Sequence, residues 1–119
     1  MDSYFGVIKV QLLGQFKDNK IHGKGKKDYA NGEKYTGDWV HDNRTGEGVY
    51  TWSDGHRYEG QFYDNKNHGK GKMDFANGDK YTGDWVDDNR TGEGVYTCSN
   101  GDHYELGCSQ IAHLHLLNC

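Results

Sequence analysis

The sequence predicts an all-β protein: an elongated, single-layer antiparallel sheet of tandem 23-residue β-hairpins, twisted into a ribbon. Three observations carry that expectation. First, residues 14–51 and 60–97 are nearly identical and differ at six of 38 positions, Lys17/Tyr63, Ile21/Asn67, Lys27/Met73, Tyr29/Phe75, Glu33/Asp79 and His41/Asp87. Second, each half divides again. Gly14, Gly37, Gly60 and Gly83 recur every 23 residues, as do the pairs from Gly23-x-Gly25 to Gly92-x-Gly94 and the series Tyr35, Tyr58, Tyr81 and Tyr104. Third, apolar and polar residues alternate inside each unit, as in Tyr35-x-Gly37-x-Trp39 and Gly46-x-Gly48-x-Tyr50-x-Trp52. Period-two alternation in runs rich in Tyr, Trp, Thr and Val indicates half-buried strands, and no helical period competes with it.

In chain order, residues 1–13 carry Tyr4, Val7, Ile8, Val10, Leu12 and Leu13 and are expected to add a capping strand at the first edge. Four hairpin units follow, over 14–36, 37–59, 60–82 and 83–105. Within a unit, His41-Asp42-Asn43-Arg44-Thr45 reads as the turn. Asn31-Gly32, Asp54-Gly55, Asn77-Gly78 and Asn100-Gly101 read as the junctions between units, where tight turns favour positive φ. Residues 106–119 share nothing with the repeat; they read equally as a cover for the last sheet edge or as the end of a longer array. Strands about 4.8 Å apart make the four units a ribbon roughly 40 Å long.

Composition narrows the function classes. The chain has 119 residues, a net charge of −4, 18 Gly and no Pro; only 33% of it is apolar, so a thick core is out of reach, yet aromatics make up 13%. A thin sheet with one aromatic face reconciles these facts. That face is expected to carry Tyr35, Trp39, Tyr50, Trp52, Tyr58, Phe62, Tyr81, Trp85 and Tyr96. The paired glycines share it and make room for neighbouring rings or for a partner. By charge the four units alternate, positive, negative, positive, negative, which favours lateral pairing. No segment reads as a membrane span or a signal peptide. Cys98, Cys108 and Cys119 do not read as a disulfide framework, which suggests an intracellular, reducing compartment.

These residues resemble a known family. Tyr35-Thr36-Gly37-Asp38-Trp39, followed by Gly46-Glu47-Gly48-Val49-Tyr50-Thr51-Trp52-Ser53-Asp54-Gly55, is similar to the MORN repeat, and the pattern recurs from Tyr58 to Gly78 and from Tyr81 to Gly101. The resemblance covers about residues 12–105. Lys27, Cys98 and Leu106 depart from it, the first two at aromatic or aliphatic positions and the last at a Gly position. It implies an extended antiparallel sheet with an aromatic groove. It also implies protein binding, scaffolding at the cytoskeleton, a cilium or a membrane, and contact with phosphoinositides. Catalytic domains found beside such repeats lie outside them.

The expected function is therefore a non-catalytic scaffold in the cytoplasm that docks a protein partner, or a second copy, on the aromatic face. Two alternatives accompany it: a phosphoinositide- or anionic-lipid-binding module, and a structural spacer of a cilium or the cytoskeleton. Lys24, Lys26, Lys70 and Lys72, in the Gly-Lys-Gly-Lys runs, are the residues that would meet phosphate or an anionic membrane. Those runs lack the Ser/Thr and the helix of a nucleotide-binding loop. A net negative chain is a poor non-specific ligand for nucleic acid. His113-x-His115 with Cys108 and Cys119 matches no standard zinc spacing, so neither a metal nor a cofactor is expected. Carboxylates fall at repeated positions, with no asymmetric grouping of the kind an active site requires.

Overall fold

Alternating half-buried strands joined by short turns have one simple solution, a meander, and the computed structural model shows it. The structure describes residues 11–107. Nine strands form one sheet in sequence order, every neighbouring pair antiparallel. They are β1 (Gln11–Lys17), β2 (Lys20–Asp28), β3 (Lys34–Val40), β4 (Asn43–Thr51), β5 (Arg57–Tyr63), β6 (Lys66–Asp74), β7 (Lys80–Val86), β8 (Asn89–Thr97) and β9 (His103–Leu106). The molecule extends 51 × 29 × 18 Å, a ribbon as the strand count requires. Of the expected capping segment, residues 11–13 begin β1 and 1–10 lie outside the described residues. Of the 106–119 tail, Leu106 closes β9 and residues 108–119 lie outside them.

The register puts glycine against glycine at every step, Gly14↔Gly25↔Gly37↔Gly48↔Gly60↔Gly71↔Gly83↔Gly94. The two glycines of each Gly-x-Gly pair do different work. A Cβ at Gly48 would sit 2.3 Å from the Tyr35 hydroxyl, and one at Gly71 2.0 Å from that of Tyr58. The second glycine is thus the seat of a tyrosine ring. The first takes positive φ, 110° at Gly46 and 90° at Gly69, beside the Asp38 or Gln61 side chain that caps the strand irregularity.

The turns differ from the sequence reading. The tight hairpin turns are Asp18-Asn19, His41-Asp42, Asp64-Asn65 and Asp87-Asp88, both residues of each at positive φ. Asn43, Arg44 and Thr45, expected in the turn, are the first residues of β4. The Asn-Gly and Asp-Gly junctions are instead longer loops. Tyr29 N–H donates to Glu33 O, and Gly32 N–H to Tyr29 O, so the ring at the loop's start stays directed at the core. The second residue of each tight turn also links successive hairpins: Asp42, Asn65 and Asp88 accept from the backbone N–H of Ile21, Arg44 and Asn67 and donate back to the same residues' carbonyls.

One face holds the core. Tyr35, Tyr58 and Tyr81 are 0% exposed, and Ile21, Trp39, Tyr50, Phe62, Met73, Trp85 and Leu106 complete the cluster. Its rings meet edge to face: Tyr35 with Trp39 and with Phe62 at 5.0 Å, Tyr58 with Trp85 at 5.3 Å. The opposite face pairs charges across strands, Lys24 with Asp38, Lys70 with Asp84, and Arg57 with Asp74. The first two of these join a net positive unit to a net negative one. Cys98, buried where Trp52 and Phe75 sit in other units, forms a disulfide whose partner lies outside the described residues. At this one cysteine the expectation of no disulfide framework is corrected.

Candidate functional site: the aromatic face

The nine rings named from sequence share the face but not the exposure. Tyr35, Trp39, Tyr50, Tyr58, Phe62, Tyr81 and Trp85 are core; Trp52 and Tyr96 are half-buried and packed against it. The three zero-exposure tyrosines are wedged between strands. The hydroxyls of Tyr35 and Tyr58 donate to the Asp38 and Gln61 carbonyls at 2.8 Å. Burial, together with the Asp38 charge, pushes the Tyr35 phenol well above its ordinary pKa.

Between the two central units the face opens into a hollow of about 290 Å³. Tyr50, Trp52, Phe62, Met73 and Trp85 give it apolar walls; Arg44, Asn65, Asn67 and Asp88 give it a polar rim. Its origin is one row of side chains. The row runs Ile21 (β2), Arg44 (β4), Asn67 (β6) and Arg90 (β8). Arg44 and Arg90 are long enough to lie over rings: Arg44 is 5.0 Å from the Tyr50 centroid, and Arg90 is 5.9 and 5.8 Å from those of Phe75 and Tyr81. Asn67 is too short to do so, and the hollow forms above it. Asn67 is 6% exposed, and its side-chain amide makes no hydrogen bond among the described residues.

Besides Asp88 on the rim, Glu33 and Asp79 on this face are also engaged. Glu33 accepts from the Tyr50 hydroxyl. Asp79 accepts from the Tyr96 hydroxyl at 2.7 Å and from Ser99 N–H at 2.8 Å, which together hold its carboxyl below the usual range. Burial, then the bond to Asp79, pushes the Tyr96 phenol up to about 12. On the opposite face, Asp84 is held low by Glu93 N–H and the Lys70 ammonium. Three of the four lysines named as phosphate contacts, Lys24, Lys70 and, at 3.8 Å from Asp74, Lys72, therefore have carboxylate partners; Lys26 lies on the same polar face. Among the described residues no three His, Cys, Asp or Glu side chains converge as a metal site, and His113, His115, Cys108 and Cys119 lie outside them.

The sequence reading missed Arg44, Asn67 and Arg90. Their signal was present: period two, counted back from Gly46, Gly69 and Gly92, puts each on the aromatic face. Reading residues 41–45 as a turn removed them from the strand.

A sheet of sequential hairpins, seated ring on glycine at a fixed step, defines a tandem-repeat protein. The family model for the MORN repeat matches residues 13–34, 35–57, 58–80 and 81–103, and the chain belongs to the MORN-repeat family. No curated protein matches it. Among the described residues no helix is long and apolar enough to cross a membrane.

Proposed function

We propose that the chain is a non-catalytic scaffold that docks a protein partner on its aromatic face. The observation that carries this reading is the hollow at Asn67, a ring-walled recess with a polar rim on the aromatic face. Recesses that are mostly apolar with a few oriented polar groups are the usual receptors for side chains. The repeated carboxylates are engaged by tyrosine hydroxyls, backbone N–H groups and lysines, which supports a structural role for them rather than acid–base chemistry. A lipid-binding reading has less support, because Lys24 and Lys70 already hold aspartates.

Trp39 and Trp85 are core members, and truncating either costs about 3–5 kcal/mol of folding stability, so they cannot isolate binding. Trp52 lines the hollow from a half-buried position. Affinity capture with the intact chain and with Trp52→Ala, compared by mass spectrometry, is the test. The expected result is loss of partners from the variant with an unchanged β-sheet circular dichroism spectrum. Retention of every partner would refute docking on this face.

A further inference from the structure

Resting on the docking reading, we propose that the docked segment is acidic and amphipathic, setting an apolar side chain in the hollow at Asn67 and a carboxylate on Arg90. Arg90 is a half-buried cation with its donors unspent. Among the described residues it has neither a hydrogen bond nor an ion pair; its contacts are the faces of Phe75 and Tyr81. Its counterpart Arg44 is committed, donating from Nη1 to the Tyr29 hydroxyl at 2.6 Å and from Nη2 to the Asn65 carbonyl at 2.7 Å. Phe75 stands where Tyr29 stands in the first half, and the missing hydroxyl leaves Arg90 without that acceptor. A ring-stacked guanidinium presents a planar fork of N–H donors that a carboxylate fits with two parallel bonds.

The acids nearby do not supply that carboxylate. Glu33 and Asp79 take tyrosine hydroxyls, and Asp88 takes the Asn67 N–H. Arg90 thus stands on the aromatic face as a cation with no carboxylate paired to it among the described residues, although the chain as a whole carries −4. The hollow and the cation are continuous: Trp85 walls the hollow, and Arg90 is its direct partner across β7 and β8. Asn67 and Arg90 stand two strands apart, roughly 10 Å. That separation is spanned by about three residues of extended chain or about seven of helix. An anionic bilayer is a worse fit, since adhesion to one draws on several clustered cations.

The test begins with a displayed library of random peptides panned on the full chain. The expected winners carry Asp or Glu at that spacing from an aromatic or aliphatic residue. Changing the acid of a selected peptide to its amide should weaken binding about tenfold, and Arg90→Gln should do the same. The two changes together should add little more, because they remove one contact. Arg90→Lys should recover part of the loss. No hydrogen bond ties Arg90 to the fold, so these variants are expected to keep the wild-type circular dichroism spectrum. Winners without an acidic preference, or an affinity unchanged by Arg90→Gln, would overturn the proposal while leaving docking intact. So would binding of phosphatidylcholine vesicles containing phosphatidylserine that Arg90→Gln abolishes. Failure of any peptide to bind, with Trp52→Ala indistinguishable from wild type in affinity capture, would sink both readings.

Discussion

The two halves of the ribbon, 14–51 and 60–97, share a backbone and differ in what that backbone displays. Their tight turns match closely, φ 47° and 71° at His41-Asp42 against 48° and 70° at Asp87-Asp88, and 53° and 65° at Asp18-Asn19 against 50° and 69° at Asp64-Asn65. Their Gly-on-Gly registers are the same. The substitutions fall on side chains. Ile21 fills its place in the row, and Asn67 leaves a hollow. Lys27 lies over Tyr29, and Met73 is buried. Tyr29 engages Arg44, and Phe75 leaves Arg90 stacked alone. His22 stacks with His41 at 5.2 Å, whereas His68 faces the Asp87 carboxylate at 3.9 Å. Glycine, tyrosine and the turn residues set the frame, and a handful of positions between them can vary without disturbing it.

The largest expected effect tests the shared frame. Gly48→Val and Gly94→Val, at equivalent positions, drive a side chain into the buried Tyr35 and Tyr81, and each should cost about 3 kcal/mol or more in urea unfolding. Unequal losses would show that the halves are not mechanically equivalent. The next effect tests the row. Ile21→Asn should destabilise by about 2 kcal/mol, since it places an unpaired amide in the core. Asn67→Ile should stabilise by about 1 kcal/mol while abolishing partner binding, because it fills the hollow. A smaller effect concerns the arginines. Tyr29→Phe should cost about 1 kcal/mol and Phe75→Tyr should gain a similar amount, both read from denaturation midpoints.

The smallest effect is in pH. Asp38, Asp79 and Asp84 are all held below 3.8 in the folded chain. Burial alone would raise Asp38, but the Lys24 ammonium and Glu47 N–H outweigh it. Stability from these acids is complete above their unfolded value and is lost as pH falls through the lower folded ones. Two of the three lie in the second half, so amide exchange at low pH should open β7–β8 before β3–β4. The raised Tyr96 phenol has the opposite sign: its contribution is present below pH 10 and is lost as pH rises toward about 12.

Most of this frame was legible in the sequence. The alternation put the nine rings on one side of the sheet, where seven of them prove to be core, and the glycine spacing anticipated seats for rings, which Gly48 and Gly71 provide. Turn geometry was not legible, because both kinds of connection are rich in turn formers. Asn31-Gly32 looks like a tight hairpin turn, yet the loop must keep Tyr29 against the core and so runs longer. His41-Asp42 holds the left-handed pair because Asp42 also reaches Ile21 of the preceding hairpin, a long-range bond that no local pattern announces. The hollow was hidden for a related reason: it depends on a short side chain at one place in a row whose neighbours are long, and the row appears only once the strands are aligned.

The strict β1-to-β9 order has a mechanical consequence. Among the described residues, each strand's ladder of backbone hydrogen bonds runs to the strands before and after it in the chain, while rings and turn residues tie each hairpin to the next. Tension between the two ends of the ribbon therefore loads one pair of strands at a time, and the sheet peels from its ends as a zipper opens. Such a ribbon lengthens in steps of one strand and re-forms by pairing each strand with a neighbour in sequence. A partner laid across β4 to β8 would clamp several teeth of that zipper at once and turn a compliant element into a stiff one.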